Sequence, residues 1–293
     1  MLPGMRRKPS IAIVGAGNLA AALAVSLHGA AYTIEAVMAR SRGESLRNAR
    51  KLAKQVGSRA VVSPGASLPA DLIWFCVPDP QIAAAARSFA LMPGWKGRVA
   101  LHSSGALSSD ELAVLREQGA SVASVHPLMT FVRGSRPSLA EVPFAVEGDA
   151  AAVRVARRIV KDLGGNSHAI RKEDKAAYHA WGTFASPLLT ALLATTEQVA
   201  AVAGVPRHQA RKRMMPILQQ TLANYSAFGA ARGFSGPIVR GDVDTVKRHL
   251  HALRDIPAAR DVYAALAGAA LQYLPVKNRK SLKRVLASHS QSD

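Results

Sequence analysis

The stretch Ile11-Ala12-Ile13-Val14-Gly15-Ala16-Gly17-Asn18-Leu19-Ala20 constrains the fold more than any other, because a short apolar run there meets a glycine turn and then an alanine-rich helical pattern. Strand, tight turn and helix are the expected outcome. Gly15 allows the turn, Gly17 lets the backbone approach a pyrophosphate with no Cβ in the way, and Ala20 keeps the helix close to the sheet. The free N–H groups and the dipole of the helix start, at Asn18 and Leu19, suit phosphates. This context predicts a dinucleotide site at Gly15, Gly17, Asn18, Leu19 and Ala20.

The next strand-like run, Tyr32 to Met38, ends in Ala39-Arg40-Ser41-Arg42. A site for NAD usually places a carboxylate at this strand end, about 20 residues after the glycines, to accept from the ribose 2′-hydroxyl. Glu35 falls too early in the run to serve. Arg40, Ser41 and Arg42 instead offer guanidinium forks and a hydroxyl to a 2′-phosphate, so NADP(H) is the expected cofactor, against the alternative of a solvated basic turn.

Strand and helix signals then alternate: Arg59 to Val62, Leu72 to Val77, Arg98 to His102, Ser121 to His126 and Phe144 to Glu147, with helical stretches such as Glu44 to Val56 and Gln81 to Ala90 between them. The helix Ala150 to Leu163 ends at Gly164-Gly165, and Ser167 to Ile170 reads as a last short strand. This rhythm predicts an α/β domain over residues 1–171 with a doubly wound, mostly parallel sheet. From Lys172 the pattern changes to long Ala/Leu-rich segments, Lys175 to Ala203, Arg207 to Phe228, Asp242 to Leu253 and Ala258 to Leu274. Residues 172–293 are therefore expected to be all-helical, to contribute to the substrate site and to form a homodimer through apolar helix faces. Lys277 to Asp293 reads as a basic tail.

A chain of 293 residues with 49% hydrophobic and 19% charged residues is ordinary for a globular protein. The formal charge of +19 is spread over clusters such as Arg6-Arg7-Lys8 and Arg211-Lys212-Arg213, without interleaved aromatics or a nucleic-acid module. Solvated basic faces, or attraction of an anionic cofactor and substrate, account for it better than nucleic acid. Cys76 is the only cysteine, which excludes an intrachain disulfide and agrees with a reducing cytoplasm. The apolar run behind the first basic cluster is broken by Gly15 and Gly17 and reads as the nucleotide strand, not a signal peptide. No run of about 20 apolar residues stands ready to span a membrane. No metal is expected.

Several segments carry chemical candidates at expected strand or helix ends. Val77-Pro78-Asp79-Pro80 follows the fourth strand, where Val77 and Pro78 form either a rigid turn or a stiff loop beside the cofactor. His102-Ser103-Ser104-Gly105 follows the fifth strand, with Ser103 able to bond the nicotinamide amide or a carboxylate, and His126-Pro127-Leu128 follows the sixth. Each histidine reads either as a satisfied structural imidazole or as a site group. Lys175 and His179 are four apart and share a helix face, so a buried Lys175 with a lowered pKa is a candidate to protonate a carbonyl oxygen as hydride reaches carbon. The alternative is a surface lysine beside packing side chains. In Gly236-Pro237-Ile238-Val239-Arg240-Gly241-Asp242, Arg240 is a candidate clamp for a substrate carboxylate and Asp242 a helix cap beside it.

Together these segments resemble the Rossmann-like proteins that carry a C-terminal helical domain of unknown function, relatives of ketopantoate reductase, pyrroline-5-carboxylate reductase and the 6-phosphogluconate dehydrogenase superfamily. The motifs in order are G-A-G-N-L-A from Gly15, A-R-S from Ala39, V-P-D from Val77, H-S-S-G from His102, H-P-L from His126, K-A-A-Y-H from Lys175 and G-P-I-V-R-G-D from Gly236. The resemblance implies an NADPH-dependent reductase of a small carboxylate-bearing ketone or imine, with ketopantoate the first guess and catalysis by Lys175, His179 and His102. The substrate is expected to be held by His126, Arg240 and Asp242, in a cleft between the two domains. In the superfamily a lysine with an asparagine four residues later serves the carbonyl. Here His179 stands in the asparagine's place, and Ala185-Ser186-Pro187 replaces A-S-N, where proline would kink the helix. A protein that binds NADP(H) as a sensor or scaffold without turnover is the alternative.

Overall fold

The computed structural model describes residues 7–62, 68–135 and 137–288. Arg6 and the residues from 289 on, parts of the basic cluster and basic tail, lie outside the described residues. Up to Asn166–Ala169 the elements are β1 (Ile11–Val14), α1 (Asn18–Gly29), β2 (Ile34–Ala39), α2 (Glu44–Gln55), β3 (Arg59–Val62), β4 (Leu72–Phe75) and α3 (Asp79–Ala90). They continue with β5 (Val99–His102), α4 (Ala113–Glu117), β6 (Ser121–Pro127), β7 (Pro143–Gly148), α5 (Ala150–Asp162) and β8 (Asn166–Ala169). The strands form an eight-stranded sheet in the order β3-β2-β1-β4-β5-β6-β7-β8. All neighbours pair parallel except β6 and β7, which run antiparallel with Ala123 opposite Gly148 and Pro127 opposite Phe144. The first six strands have the doubly wound Rossmann order, with its switch point between β1 and β4.

β1 (Ile-Ala-Ile-Val) and β4 (Leu-Ile-Trp-Phe) carry no polar alternation because both faces of the sheet are covered. Successive side chains point to opposite faces, so Ile11, Ile13, Leu72 and Trp74 pack with Leu23 and Leu27 of α1 and Ile159 of α5. Ala12, Val14, Ile73 and Phe75 pack with Ile82 and Phe89 of α3. Such burial, at roughly 25 cal/mol per Å² of apolar surface, fixes the strand register and holds all parallel strand ends on one edge.

Beyond β8 the chain is helical: α6 (Lys175–Thr183), a π-helical turn over Phe184–Leu188, α7 (Leu189–Val202), α8 (Arg207–Gly233), α9 (Pro237–Arg240), α10 (Val243–Ala252), α11 (Pro257–Tyr273) and α12 (Arg279–Ser288). The π turn interrupts the single helix expected from Lys175 to Ala203, and Pro187 explains it: proline has no N–H for an i to i−4 bond. Two compact units result, the described residues up to Phe184 and those from Ala185 on. The division lies past the expected boundary at 171/172, because buried Lys175 bonds Ser104 and Ser124 and ties α6 to the sheet.

The basic tail is a second difference, since Arg279–Ser288 is a helix. Leu282 and Leu286, four apart, lie on one face and pack against Val246, Leu250 and Leu271. Its basic residues masked that apolar stripe in the sequence. Among the described residues, no single helix is long and apolar enough to cross a membrane.

Candidate active site

The turn after β1 has the geometry that its glycines predict. Gly15 sits at φ +112°, and a Cβ there would come within 2.3 Å of the Cys76 carbonyl oxygen, so no other residue fits between β1 and β4. Gly17 caps α1 in an extended conformation without a side-chain bond to the helix, and a Cβ on it would meet nothing within 4 Å. The start of α1 thus borders open space, where its first N–H groups have no side-chain cap, the arrangement that suits an anion. A cavity of about 720 Å³ begins at Gly15 and Gly17 and is lined farther out by Arg40, Ser41, Arg42, Val77 and Pro78, all from the ends of β1, β2 and β4. Leu19 and Ala20 support this turn from the core side, and Ala20 is fully buried. Asn18 donates through Nδ2 to the Phe131 carbonyl, 3.2 Å away.

These residues fit a dinucleotide with a phosphorylated ribose. Glu35 lies early in β2, and the strand ends directly on Arg40. Ser45, Asn48 and Gln81 also line the cavity, which the sequence motifs did not indicate. In its wall, desolvation pushes the Cys76 thiol up to about 12 and keeps it protonated.

A second group of side chains gathers farther along the edge, after β5 and β6. His126 Nδ1 donates to the Ser103 carbonyl at 3.0 Å, which leaves Nε2 as the free nitrogen. Its ring stands edge-on to His179, centroids 5.9 Å apart, and to Tyr178 at 6.0 Å. Both imidazoles converge on Gly105, where a Cβ would lie 2.6 Å from His179 Cδ2 and 2.8 Å from His126 Nε2. A side chain at Gly105 would therefore displace one or both rings. Desolvation, the nearby Lys175 charge and His179 lower the His126 pKa, and the contact to the Ser103 carbonyl only partly offsets them. The Tyr178 hydroxyl in this cluster is buried without a hydrogen-bond partner.

His102 and Lys175 build the scaffold behind this pair. The Ser104 N–H donates to His102 Nδ1 at 3.1 Å, so His102 carries its proton on Nε2 and donates it to the Ser108 carbonyl at 2.9 Å. Fully buried with both nitrogens used, His102 is pushed down to about 4, mainly by desolvation. It stays neutral, with both ring nitrogens engaged by the turn that follows β5. Lys175, 1% exposed, donates to the Ser104 carbonyl at 3.1 Å and to Ser124 Oγ at 2.8 Å. Desolvation lowers its pKa, against the pull of Glu147 and Asp79. Ser104 Oγ in turn donates to Asp79 at 2.7 Å and accepts the N–H groups of Ala106 and Leu107. Ser103 Oγ accepts from Trp74 at 2.8 Å, so this serine is also committed inside the fold. H-S-S-G is thus a turn bonded on every side; its partner Ser124 was marked by no motif, while Ser104 and Asp79 were legible only as parts of H-S-S-G and V-P-D.

The remaining two candidates lie in the second compact unit. Asp242 caps α10, its carboxylate accepting Thr245 N–H at 3.0 Å and Thr245 Oγ1 at 2.8 Å. The loop before it packs on the last helix connection, with Lys277 N–H donating to the Val239 carbonyl and Asn278 Nδ2 to that of Gly241. Asp242 is thus the helix cap expected from the sequence. Arg240 is exposed and remains available to an anion.

Residues 4–127 match the Rossmann-like domain, and residues 142–270 match a domain of unknown function, DUF2520. The fold is similar to that of a Bacteroides fragilis protein described as an NADP oxidoreductase (TM-score 0.76, 21% identity, 89% of this chain and 97% of that one). It is also similar to a reductive aminase from Aspergillus terreus in complex with NADPH and ethyl-5-oxohexanoate (0.64, 15%, 95% and 99%). A third similar structure is a pyrroline-5-carboxylate reductase from Coxiella burnetii (0.56, 13%, 93% and 100%). At these identities the likeness is one of fold. No curated protein matches the chain in sequence.

Proposed function

For a chain that joins a Rossmann-like domain to a DUF2520 domain, we propose the activity of an NADPH-dependent reductase acting on a small carbonyl or imine compound. The observation that carries this reading is the cavity at the switch point, where the start of α1 at Gly17 would take the central diphosphate and the Arg40-Ser41-Arg42 set the ribose 2′-phosphate of such a cofactor. Its reduced nicotinamide would supply hydride. From the turn after β1 to His126 on β6 is three strand spacings, roughly 14 Å, a reach that an extended dinucleotide spans along the sheet edge.

The chain's own part is to hold the substrate and move a proton. His126, fixed by the Ser103 carbonyl and presenting Nε2 beside Gly105, is the group that gives a proton to the carbonyl oxygen or imine nitrogen, with His179 next to it. Lys175 acts through others: its bonds to Ser104 and Ser124 fix the turn that orients His126, and its charge tunes that imidazole. The formal charge of +19 on the chain favours a carboxylate on the substrate. Because two of the similar structures are named for imine or aminating chemistry, cyclic imines and oxo acids with amines stand beside ketopantoate as substrates to try.

The test is NADPH absorbance against a panel of oxo acids and imines. NADPH should be consumed and NADH hardly at all, and Arg40→Ala should weaken NADPH about tenfold while leaving NADH unchanged, the loss expected for one charged hydrogen bond. Equal affinity for both cofactors in the unaltered protein would overturn the assignment. NADPH binding without consumption across the panel would favour a sensor or scaffold.

The second unit supports a homodimer in this proposal. Ile217, Leu222, Tyr225 and Phe228 of α8 are all more than half exposed, an apolar run that marks a protein surface for another protein. Light scattering should give the mass of two chains, and a monomer would count against it.

A further inference from the structure

Resting on the cofactor reading above, we propose that Arg133 is a diphosphate-binding residue brought to the glycine turn by the loop that leaves β6, and that Glu44 is its partner until the cofactor arrives. Two contacts hold this loop across the turn. The Phe131 carbonyl accepts from Asn18, the first residue of α1, and Arg133 Nη2 lies 3.5 Å from Oε1 of Glu44, the first residue of α2. A cavity of about 790 Å³ lies under the loop, lined by Ala16, Gly17, Asn18, Asn48, Lys51 and Arg133 among others. It shares Ala16, Gly17, Glu44 and Asn48 with the cavity that opens on Arg40 and Arg42. The glycine turn therefore has space on two sides, with Arg40 and Arg42 on one and Arg133 on the other.

The Arg133–Glu44 pair is suited to being exchanged. Its side chains are 89% and 67% exposed, and a pair so exposed contributes little. A phosphate oxygen pair over Gly17 offers the guanidinium a bidentate, charge-assisted partner, which it binds more strongly than a solvated carboxylate. Glu44 meanwhile stays favourable at the start of α2, where the helix dipole welcomes a negative charge. Because the loop continues β6, which carries His126, filling the phosphate site would also draw in the segment next to the proton donor.

Calorimetric titration of NADPH and NADH into the full chain and its variants tests this. Both cofactors carry the diphosphate, so Arg133→Ala should weaken both by a similar factor, roughly tenfold, whereas Arg40→Ala weakens NADPH alone. Glu44→Gln should tighten both several-fold, and this gain should vanish in the Arg133→Ala background. Unchanged affinities in Arg133→Ala, or a loss confined to NADPH, would overturn the diphosphate assignment with the cofactor reading intact. A Glu44→Gln gain that persists without Arg133 would overturn the exchange. Failure of the unaltered protein to bind either cofactor would overturn the cofactor reading and this inference with it. An unchanged melting temperature checks that the variants fold.

Discussion

Replacing His126 by asparagine is expected to slow reduction by about 10²-fold or more while leaving NADPH affinity unchanged, the usual size of a lost general acid. An asparagine amide can still donate to the Ser103 carbonyl, so the turn keeps its bond and only the titrating nitrogen is lost. In the proposed reaction the imidazole must be protonated, and the His126 pKa is lowered, so the rate should rise as pH falls below the ordinary histidine value. Lys175→Met should shift that rise to higher pH, because it removes a positive charge that disfavours the imidazolium. If Lys175 itself donated the proton, the variant would lose the rate at every pH with no shift of the profile. Near-normal turnover in His126→Asn would move the donor to His179.

Much of the fold was legible because its signals are local. Fully apolar β1 and β4, the glycine turn and the end of β2 at Ala39 each follow from a few adjacent residues. The cavity at the sheet edge follows from the same residues, since Gly15, Gly17, Arg40, Ser41 and Arg42 line it where the strands place them. The chemical end was less legible, because its parts come from different strands. That His102 is locked by Ser104 and Ser108, while His126 keeps a free nitrogen, depends on which backbone groups the β5 turn presents. Spacing marked both histidines equally. Lys175 was legible as buried with a lowered pKa, but its bonds across the fold to Ser104 and Ser124 were not. Likewise Asp242 was readable as a cap, and Leu282 and Leu286 were hidden among basic residues.

The locked His102 also makes stability depend on pH in a definite direction. Its folded value is about 4, against 6.5 when exposed, so in acid the unfolded chain takes up a proton that the folded chain refuses. Its contribution is complete above about pH 6.5, falls as pH drops toward 4 and is absent below that, a total of about 3 kcal/mol. The nearby Asp79 favours the charged form, but desolvation, Lys175 and His126 outweigh it. Carboxylates with lowered values, such as Asp71 and Asp110, lose their contribution only as pH falls below about their ordinary 3.8, so the two windows are separable. Urea unfolding followed by the fluorescence of buried Trp74 and Trp95 should show the first unit weakening from pH 7 to 4.5. His102→Asn removes the titrating ring while keeping an oxygen that can accept from the Ser104 N–H. That variant should be less stable at pH 7 yet lose clearly less on acidification, the remaining slope coming from His126 and His168, whose values are also lowered. Parallel pH profiles for the two proteins would mean that His102 is protonated inside the fold, and its place as a neutral strut would have to be given up.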